Sequence, residues 1–292
     1  MRLTAPAKIN LTLEVTGVEA NGYHTLDTLF AWLELHDSLT IEKASETTLE
    51  MEADGVDTSL VTADENNLVL KALRALEAHA GRALPTRFRL TKRIPAGGGL
   101  GGGSADAAAA LVGLPRLHGV EVSSEQLQAM AARLGADVAF GLRGGFARGT
   151  RYGDVLEQLA LPSELGQATL VLLAPGFPCP TPIVYGAWDQ TPSRVAQGAS
   201  ERFLGAPSGS RLAEIRNDLQ APAESLFPLL TELRAEMEGC GLQAVTLSGS
   251  GSTLFGFWTG EGSLEGIVER LSGRGKVMVT RLRAEERDEL DV

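Results

Sequence analysis

From Pro6 onward the chain alternates, with Ile9, Leu11, Leu13 and Val15 apolar and Lys8, Asn10, Thr12 and Glu14 polar between them. A period of two is that of a β-strand, so Lys8 and Asn10 share one face. That face is either a solvated surface or the wall of a site. Asn21-Gly22 then marks a turn that presents Tyr23 and His24, and residues 26–35 and 39–41 predict further strands. The spacing of Leu68, Ala72, Leu73 and Leu76 predicts a helix over residues 67–79, and Phe88-Arg89-Leu90-Thr91 alternates again as a strand.

That strand leads into Pro95-Ala96-Gly97-Gly98-Gly99-Leu100-Gly101-Gly102-Gly103-Ser104-Ala105. Glycines let a backbone approach a ligand closely and take positive φ, and a helix that follows offers unpaired N–H groups and a partial positive charge. The alanine-rich residues 106–111 predict such a helix, with Ser104 as its N-cap. Strand, glycine turn and helix together make a phosphate site. Glycine runs also serve as linkers, but this one is flanked by an alternating strand and by Pro95, which fixes its approach. A Walker A loop is excluded, because no lysine follows Gly103. Gly97, Gly99 and Gly102 match G-x-G-x-x-G, but six glycines in seven positions satisfy almost any glycine pattern.

Ser123-Ser124-Glu125-Gln126 predicts a capping box for a helix through Leu134, which Gly135 stops. Asp137 follows, either as the N-cap of a short turn or as a functional carboxylate. The pattern changes near Leu161-Pro162, which divides the chain into residues 1–160 and 161–292. In the second part, strands at 169–174, 245–247, 254–258 and 277–282 and helices at 222–237 and 264–271 give the order β-α-β-β-α-β, with an insertion over 181–220. Residues 205–210 within it read as an exposed loop. Ser248-Gly249-Ser250-Gly251-Ser252 joins two strands, as a hairpin turn or as the far wall of a cleft that faces the glycine loop. The expected class is α+β.

With 292 residues, 43% of them hydrophobic, the chain can bury two modest cores. A formal charge of −11 leaves no basic field for nucleic acid or an anionic membrane, so an anionic ligand must meet a local patch drawn from Lys8, Lys92, Arg93 and Arg143. Two cysteines, Cys179 and Cys240, make no disulfide framework and no zinc spacing. No signal-peptide core opens the sequence and no apolar run reaches the roughly 20 residues of a membrane span, so a cytoplasmic location is expected. Arg287-Asp288-Glu289-Leu290 looks like a retention signal, but two residues follow it, and it reads as a solvated acidic tail.

Four segments, Pro6-Ala7-Lys8-Ile9-Asn10-Leu11, the glycine loop, Gly135-Ala136-Asp137-Val138 and Leu247-Ser248-Gly249-Ser250-Gly251, resemble the signature regions of the GHMP small-molecule kinases. Asn21-Gly22-Tyr23-His24-Thr25-Leu26, Pro180-Thr181-Pro182 and Asn217-Asp218-Leu219 resemble the branch that acts on a cytidine diphosphate-linked methylerythritol. The likeness covers nearly the whole chain in the same order. It implies an N-terminal ribosomal protein S5 domain 2-like unit, a C-terminal ferredoxin-like unit that closes the cleft, ATP as phosphoryl donor, and Mg²⁺ with its ligands left open. It further implies that Asp137 takes a proton from the acceptor's 2-hydroxyl while Lys8 steadies Asp137 and the developing charge. By the same resemblance residues 95–105 hold the ATP phosphates, Asn67 lies at the adenine, and Asn10, Tyr23, His24, Thr181 and Tyr185 meet the acceptor.

The chain departs from that pattern in places. Ala105 replaces a second serine, Asn66 stands where aspartate is common, and Tyr185 stands where phenylalanine is the common alternative. Asp106 beside a polyphosphate is repelled, so it either faces away or helps to bind Mg²⁺. Two rival readings are a GHMP kinase acting on mevalonate, homoserine or a sugar, and a dehydrogenase that uses the G-x-G-x-x-G match with Glu121 on the ribose. A long β-rich region before the loop disfavours the dehydrogenase.

Overall fold

A computed structural model describes residues 1–191 and 198–285 of the chain. The acidic tail and part of the 181–220 insertion lie outside those residues. The first strands are long: β1 (Arg2–Val18) runs antiparallel to β2 (His24–Lys43). The two strands expected at 26–35 and 39–41 are therefore one. The polar stretch His36-Asp37-Ser38 looks like a break in the sequence, but Asp37 is fully buried there and the strand continues through it. β2 is the hub of the sheet, and different segments of it pair with β1 and with three strands from later in the chain.

After β3 (Thr48–Ala53), α1 (Leu68–Ala80) starts where Asn67 caps it by accepting from the Val69 amide at 2.9 Å. β4 (Thr86–Lys92) then leads to α2 (Gly102–His118). The expected helix begins earlier than 106, and its N-cap is Gly101 in the left-handed region rather than Ser104, which lies in the first turn. α3 (Ser124–Leu134) has the predicted capping box between Ser123 and Gln126. α4 (Ala136–Arg143) starts at Gly135, so Asp137 lies in its first turn and is not a cap.

Small residues set how closely these helices approach. A Cβ on Gly113 of α2 would lie 2.5 Å from Leu3 Cδ1 of β1, and one on Gly141 of α4 would lie 2.7 Å from the Ala108 Cβ of α2. Alanines 107–110 are fully buried, which seats α2 between the sheet and α4. Asp137 is thereby carried next to the start of α2. The hairpin β5 (Phe146–Arg151) and β6 (Val155–Leu159) completes this half, and neither strand was legible in the sequence pattern.

After the short α5 (Ser163–Gly166), β7 (Thr169–Ala174) opens the second half. The insertion contributes α6 (Thr181–Asp189), α7 (Ala199–Gly205) and β8 (Arg216–Asn217), which pairs with β1. The helix expected over 222–237 is two, α8 (Gln220–Leu226) and α9 (Leu229–Gly239). Phe227 takes φ −129° and ψ 78°, because a residue before a proline, here Pro228, is pushed out of the helical region. β9 (Gln243–Leu247), β10 (Leu254–Trp258), α10 (Leu264–Leu271) and β11 (Lys276–Arg283) follow as expected.

The antiparallel order β11-β7-β10-β9 is that of a ferredoxin-like unit, and β11 joins it to β2 through Leu282 and Leu33. Leu230, Leu233, Met237, Ile267 and Leu271 from the helices pack on Val171, Leu173 and Leu247 of that sheet. Between the halves, Ile9, Leu11, Leu29 and Ala31 meet Leu170, Leu172, Phe255 and Phe257. Both faces of β1 are therefore covered, and Lys8, Asn10, Thr12 and Glu14 are buried instead of solvated. Among the described residues no helix is long and apolar enough to cross a membrane.

Candidate active site

The glycine loop is clamped on one side. Thr253 N–H donates to the Gly98 carbonyl at 3.1 Å, the Ser248 hydroxyl to the Gly99 carbonyl at 2.9 Å, and Lys8 N–H to the Leu100 carbonyl at 3.0 Å. The Ser248-Gly249-Ser250-Gly251-Ser252 turn thus packs directly on the loop. Gly99 shows why no side chain is tolerated: its φ is +78°, and a Cβ there would lie 2.0 Å from the Ser248 carbonyl oxygen. The other side of the loop lines a cleft of about 370 Å³. Ala96, Gly97 to Gly103 and Ser104 form one wall of it, and Asn67, Leu68 and Thr62 stand on another. The α2 N-terminus opens into this cleft with no side-chain cap, which leaves its first N–H groups for an anion. Ala105 takes no part in the lining and packs into the core.

Under the loop lies a buried ion cluster. Lys92 Nζ donates to Asp106 Oδ2 at 2.6 Å and to Asp37 Oδ2, while Asp37 Oδ1 accepts from the Arg93 and Ile94 amides. Lys92 is therefore no free cation for a ligand, and Arg93 is paired with Asp54 at 2.8 Å. Asp106 is thus paired with Lys92 through Oδ2, while its Oδ1 is buried without a hydrogen-bond partner and the residue lines the same cleft. Burial pushes the Asp106 carboxyl up to about 7, against the opposing pull of Lys92 and with Asp37 adding to the rise. Burial alone would lower the Lys92 ammonium, but the charges of Asp106 and Asp37 outweigh it and raise it.

A second cleft, of about 270 Å³, lies on the far side of the loop. Lys8, Asn10, Asp137, Thr181 and Tyr185 line it, and these come from β1, α4 and α6. Lys8 Nζ stands 3.5 Å from Asp137 Oδ2 and donates to Asn10 Oδ1 at 2.8 Å. Asn10 in turn donates to Thr28 Oγ1 at 2.8 Å, and Thr28 to the Thr12 carbonyl at 2.6 Å, so the ammonium is aimed by a chain of fixed groups. Phe30 lies under it, with its ring centroid 5.6 Å from Nζ. Lys8 is 8% exposed and Asp137 34%, so the carboxylate is the group a hydroxyl can reach. Thr181 Oγ1 and Ser250 Oγ are 3.0 Å apart, and Ser250 also donates to the Cys179 carbonyl. Burial, with the charge of Asp137 adding to it, raises the Tyr185 phenol, so it stays protonated. The two clefts share Gly99 and Ser104.

Tyr23 and His24 do not stand side by side on that wall. His24 Nε2 meets Asp189 Oδ1 at 2.8 Å, and its ring lies 4.6 Å from that of Tyr185. Tyr23 is 66% exposed and leans on Tyr152, with ring centroids 5.6 Å apart. The sequence reading missed Tyr152, Phe30, Asp189 and the Lys92 cluster, because each acquires its meaning from a partner distant in sequence.

Residues 67–147 match the family described as GHMP kinases N terminal domain, and residues 205–277 that described as GHMP kinases C terminal. The chain is 39% identical over 281 residues to a 4-diphosphocytidyl-2-C-methyl-D-erythritol kinase of Paramagnetospirillum magneticum, which covers 92% of this chain and 93% of the relative. It is likewise 39% identical over 279 residues to the kinase of that name from Thermus thermophilus, covering 94% of each. A crystal structure of 4-(cytidine 5'-diphospho)-2C-methyl-D-erythritol kinase superposes with a TM-score of 0.80 at 37% identity, covering 97% of this chain and 99% of that one. A homoserine kinase from Cytophaga hutchinsonii shares the fold at a TM-score of 0.70 and 17% identity, covering 98% of this chain and 96% of that one.

Proposed function

We infer the reaction of this chain from its membership: it belongs to the 4-diphosphocytidyl-2-C-methyl-D-erythritol kinases of the GHMP kinase family. It is an ATP-dependent small-molecule kinase that phosphorylates the 2-hydroxyl of 4-diphosphocytidyl-2-C-methyl-D-erythritol, giving the 2-phosphate and ADP in non-mevalonate isoprenoid synthesis. The observation that carries the site reading is the meeting of two clefts at Gly99 and Ser104, with the Lys8–Asp137 pair on one side and the uncapped start of α2 on the other.

In this reading the loop and the α2 N-terminus hold the ATP phosphates, with Asn67 toward the adenine, so that the γ-phosphoryl reaches the junction. The acceptor fills the second cleft against Asn10 and Thr181, and its cytidyl end meets His24, Tyr185 and Tyr23. Asp137 takes the proton of the attacking hydroxyl. Lys8, at 3.5 Å, orients that carboxylate and offsets the charge that spreads over the moving phosphoryl. Residues 1–160 supply the base and the loop, and residues 161–292 supply the turn that closes over them.

Mg²⁺ commonly binds through phosphate oxygens and waters with one or two protein oxygens. Among the described residues no three His, Cys, Asp or Glu side chains converge, and Asp106 and Asp137 are each tied to a lysine. The donors fit an ion that arrives on the nucleotide, with Ser104 the side chain at the junction. Such an ion would draw charge from the phosphates. Free thiols at Cys179 and Cys240 and two polyanionic reactants suit a reducing cytoplasm.

The test is incubation of the purified protein with ATP, Mg²⁺ and, in separate reactions, the diphosphocytidyl substrate, mevalonate and homoserine. ADP release and a 2-phosphate product with the first alone is the expected result. Turnover of mevalonate or homoserine in preference would overturn it.

A further inference from the structure

The hairpin between β5 and β6 carries an aromatic side chain that the reaction above leaves without a role. Tyr152 stands at its tip and lines the acceptor cleft together with Lys8, Asn10, Asp137 and Tyr185. The tip is built to hold it there. Arg151, just before it, has φ +63°, a left-handed conformation that costs energy for any residue with a Cβ. Tyr152 N–H donates to Asp154 Oδ1 at 3.2 Å, and Gly153 N–H closes the turn on the Thr150 carbonyl at 3.0 Å. Gly153 lies against Phe30 and Ala136, so the tip packs beside the residue that precedes Asp137.

The ring and the hydroxyl of Tyr152 face different neighbours. The Arg151 guanidinium carbon lies 4.7 Å from the ring centroid, and the Tyr23 ring 5.6 Å from it at 59°. The hydroxyl accepts from Asn21 Nδ2 at 3.1 Å and donates to Glu19, which ties the hairpin to the turn between β1 and β2. Tyr23 is not among the residues that line the cleft, whereas Tyr152 lines it together with Phe30 and Tyr185.

We propose that Tyr152 is a specificity-determining residue for the acceptor, with its ring packed on the diphosphocytidyl arm and its hydroxyl bracing the turn that bears Tyr23 and His24. A methylerythritol phosphate without the cytidyl group has no flat face for such a ring, so the contact selects the capped substrate. The proposal rests on the diphosphocytidyl reading of the acceptor.

Initial rates of wild type, Tyr152→Ala and Tyr152→Phe test it, with ATP and the diphosphocytidyl substrate varied in turn and a melting curve recorded for each protein. Tyr152→Ala is expected to raise the KM for the diphosphocytidyl substrate roughly ten-fold and to leave the KM for ATP within about two-fold. Tyr152→Phe, which keeps the ring, is expected to fall between the two and serves alone if the alanine variant does not fold. An acceptor KM in both variants equal to that of wild type overturns the proposal, as does an equal rise for ATP. Absence of wild-type turnover on this substrate overturns the functional reading and the proposal together, whereas normal wild-type turnover with indifferent variants removes Tyr152 alone.

Discussion

The hydroxyl of Ser248 donates to the carbonyl of Gly99 at 2.9 Å, which fastens the turn after β9 to the loop before α2. Residues 149 positions apart in the chain are thereby in contact at the point where the two clefts meet. The paired clefts are built by both halves, and their geometry depends on Ser248, which lines neither of them.

Gly99→Ala is the sharpest probe of that contact. The new methyl would meet a backbone oxygen at 2.0 Å in a left-handed conformation, and neither partner can swing away. A loss of about 3 kcal/mol or more is expected, read as a fall in Tm of roughly 5–10 °C. Gly103→Ala, which meets only Leu68 Cδ1 at 3.7 Å, is the control and should melt within about 2 °C of wild type.

Asn217 fastens the same turn from the other side. Its Nδ2 donates to the Leu247 and Gly249 carbonyls at 2.9 and 2.7 Å, and its Oδ1 accepts from the Leu219 amide at 2.9 Å. Asn217→Ala leaves buried backbone groups unpaired and should cost about 2–4 kcal/mol in urea unfolding. Asn217→Asp should cost more, because it sets a carboxylate oxygen against two carbonyls. A midpoint for the aspartate variant at or above that of the alanine variant would contradict the hydrogen-bond pattern.

The buried Asp106 makes stability depend on pH with a defined sign. Its carboxyl titrates near 3.8 in the unfolded chain and at about 7 in the folded one, so the folded state binds the extra proton between these values. The stability tied to that proton is complete below about pH 4 and is lost as pH rises through about 7. Lys92, raised by the same carboxylates, does not titrate in this window. Relative to Asp106→Asn, which cannot ionise, wild type should lose unfolding free energy between about pH 4 and 7 and level off above. Urea titrations of both proteins across that range check it, and a difference that is flat or rises with pH would count against it.

How much of this could be read from the sequence follows from how local each signal is. The capping box at Ser123 and Gln126 is a matter of three residues and was legible, as were β7, β10 and α10. The alternation from Ile9 to Val15 gave the strand but not its surroundings, because period two reports two faces and not what covers them. Burial of Lys8 and Asn10 comes from the glycine loop, Phe30, Asp137 and the turn at Gly249 and Ser250 gathering on that face of β1. The start of α2 was misplaced because a run of glycines carries no capping side chain to mark the first turn. Lys92 joins Asp37, 55 residues before it, and Asp106, 14 after it, so no window of sequence contains the cluster. The four kinase-like segments were legible as a set because their order along the chain is itself a constraint.

The proposed mechanism makes Asp137, held by Lys8 at 3.5 Å, the base for the acceptor hydroxyl. Steady-state turnover of Asp137→Asn on ATP and the diphosphocytidyl substrate, with the product identified by mass and phosphorus resonance, tests it most directly. The expected result is a kcat lower by about 10²- to 10⁴-fold, with the fold and the KM for ATP near those of wild type. A correctly folded Asp137→Asn protein that forms the 2-phosphate at close to the wild-type rate would contradict it.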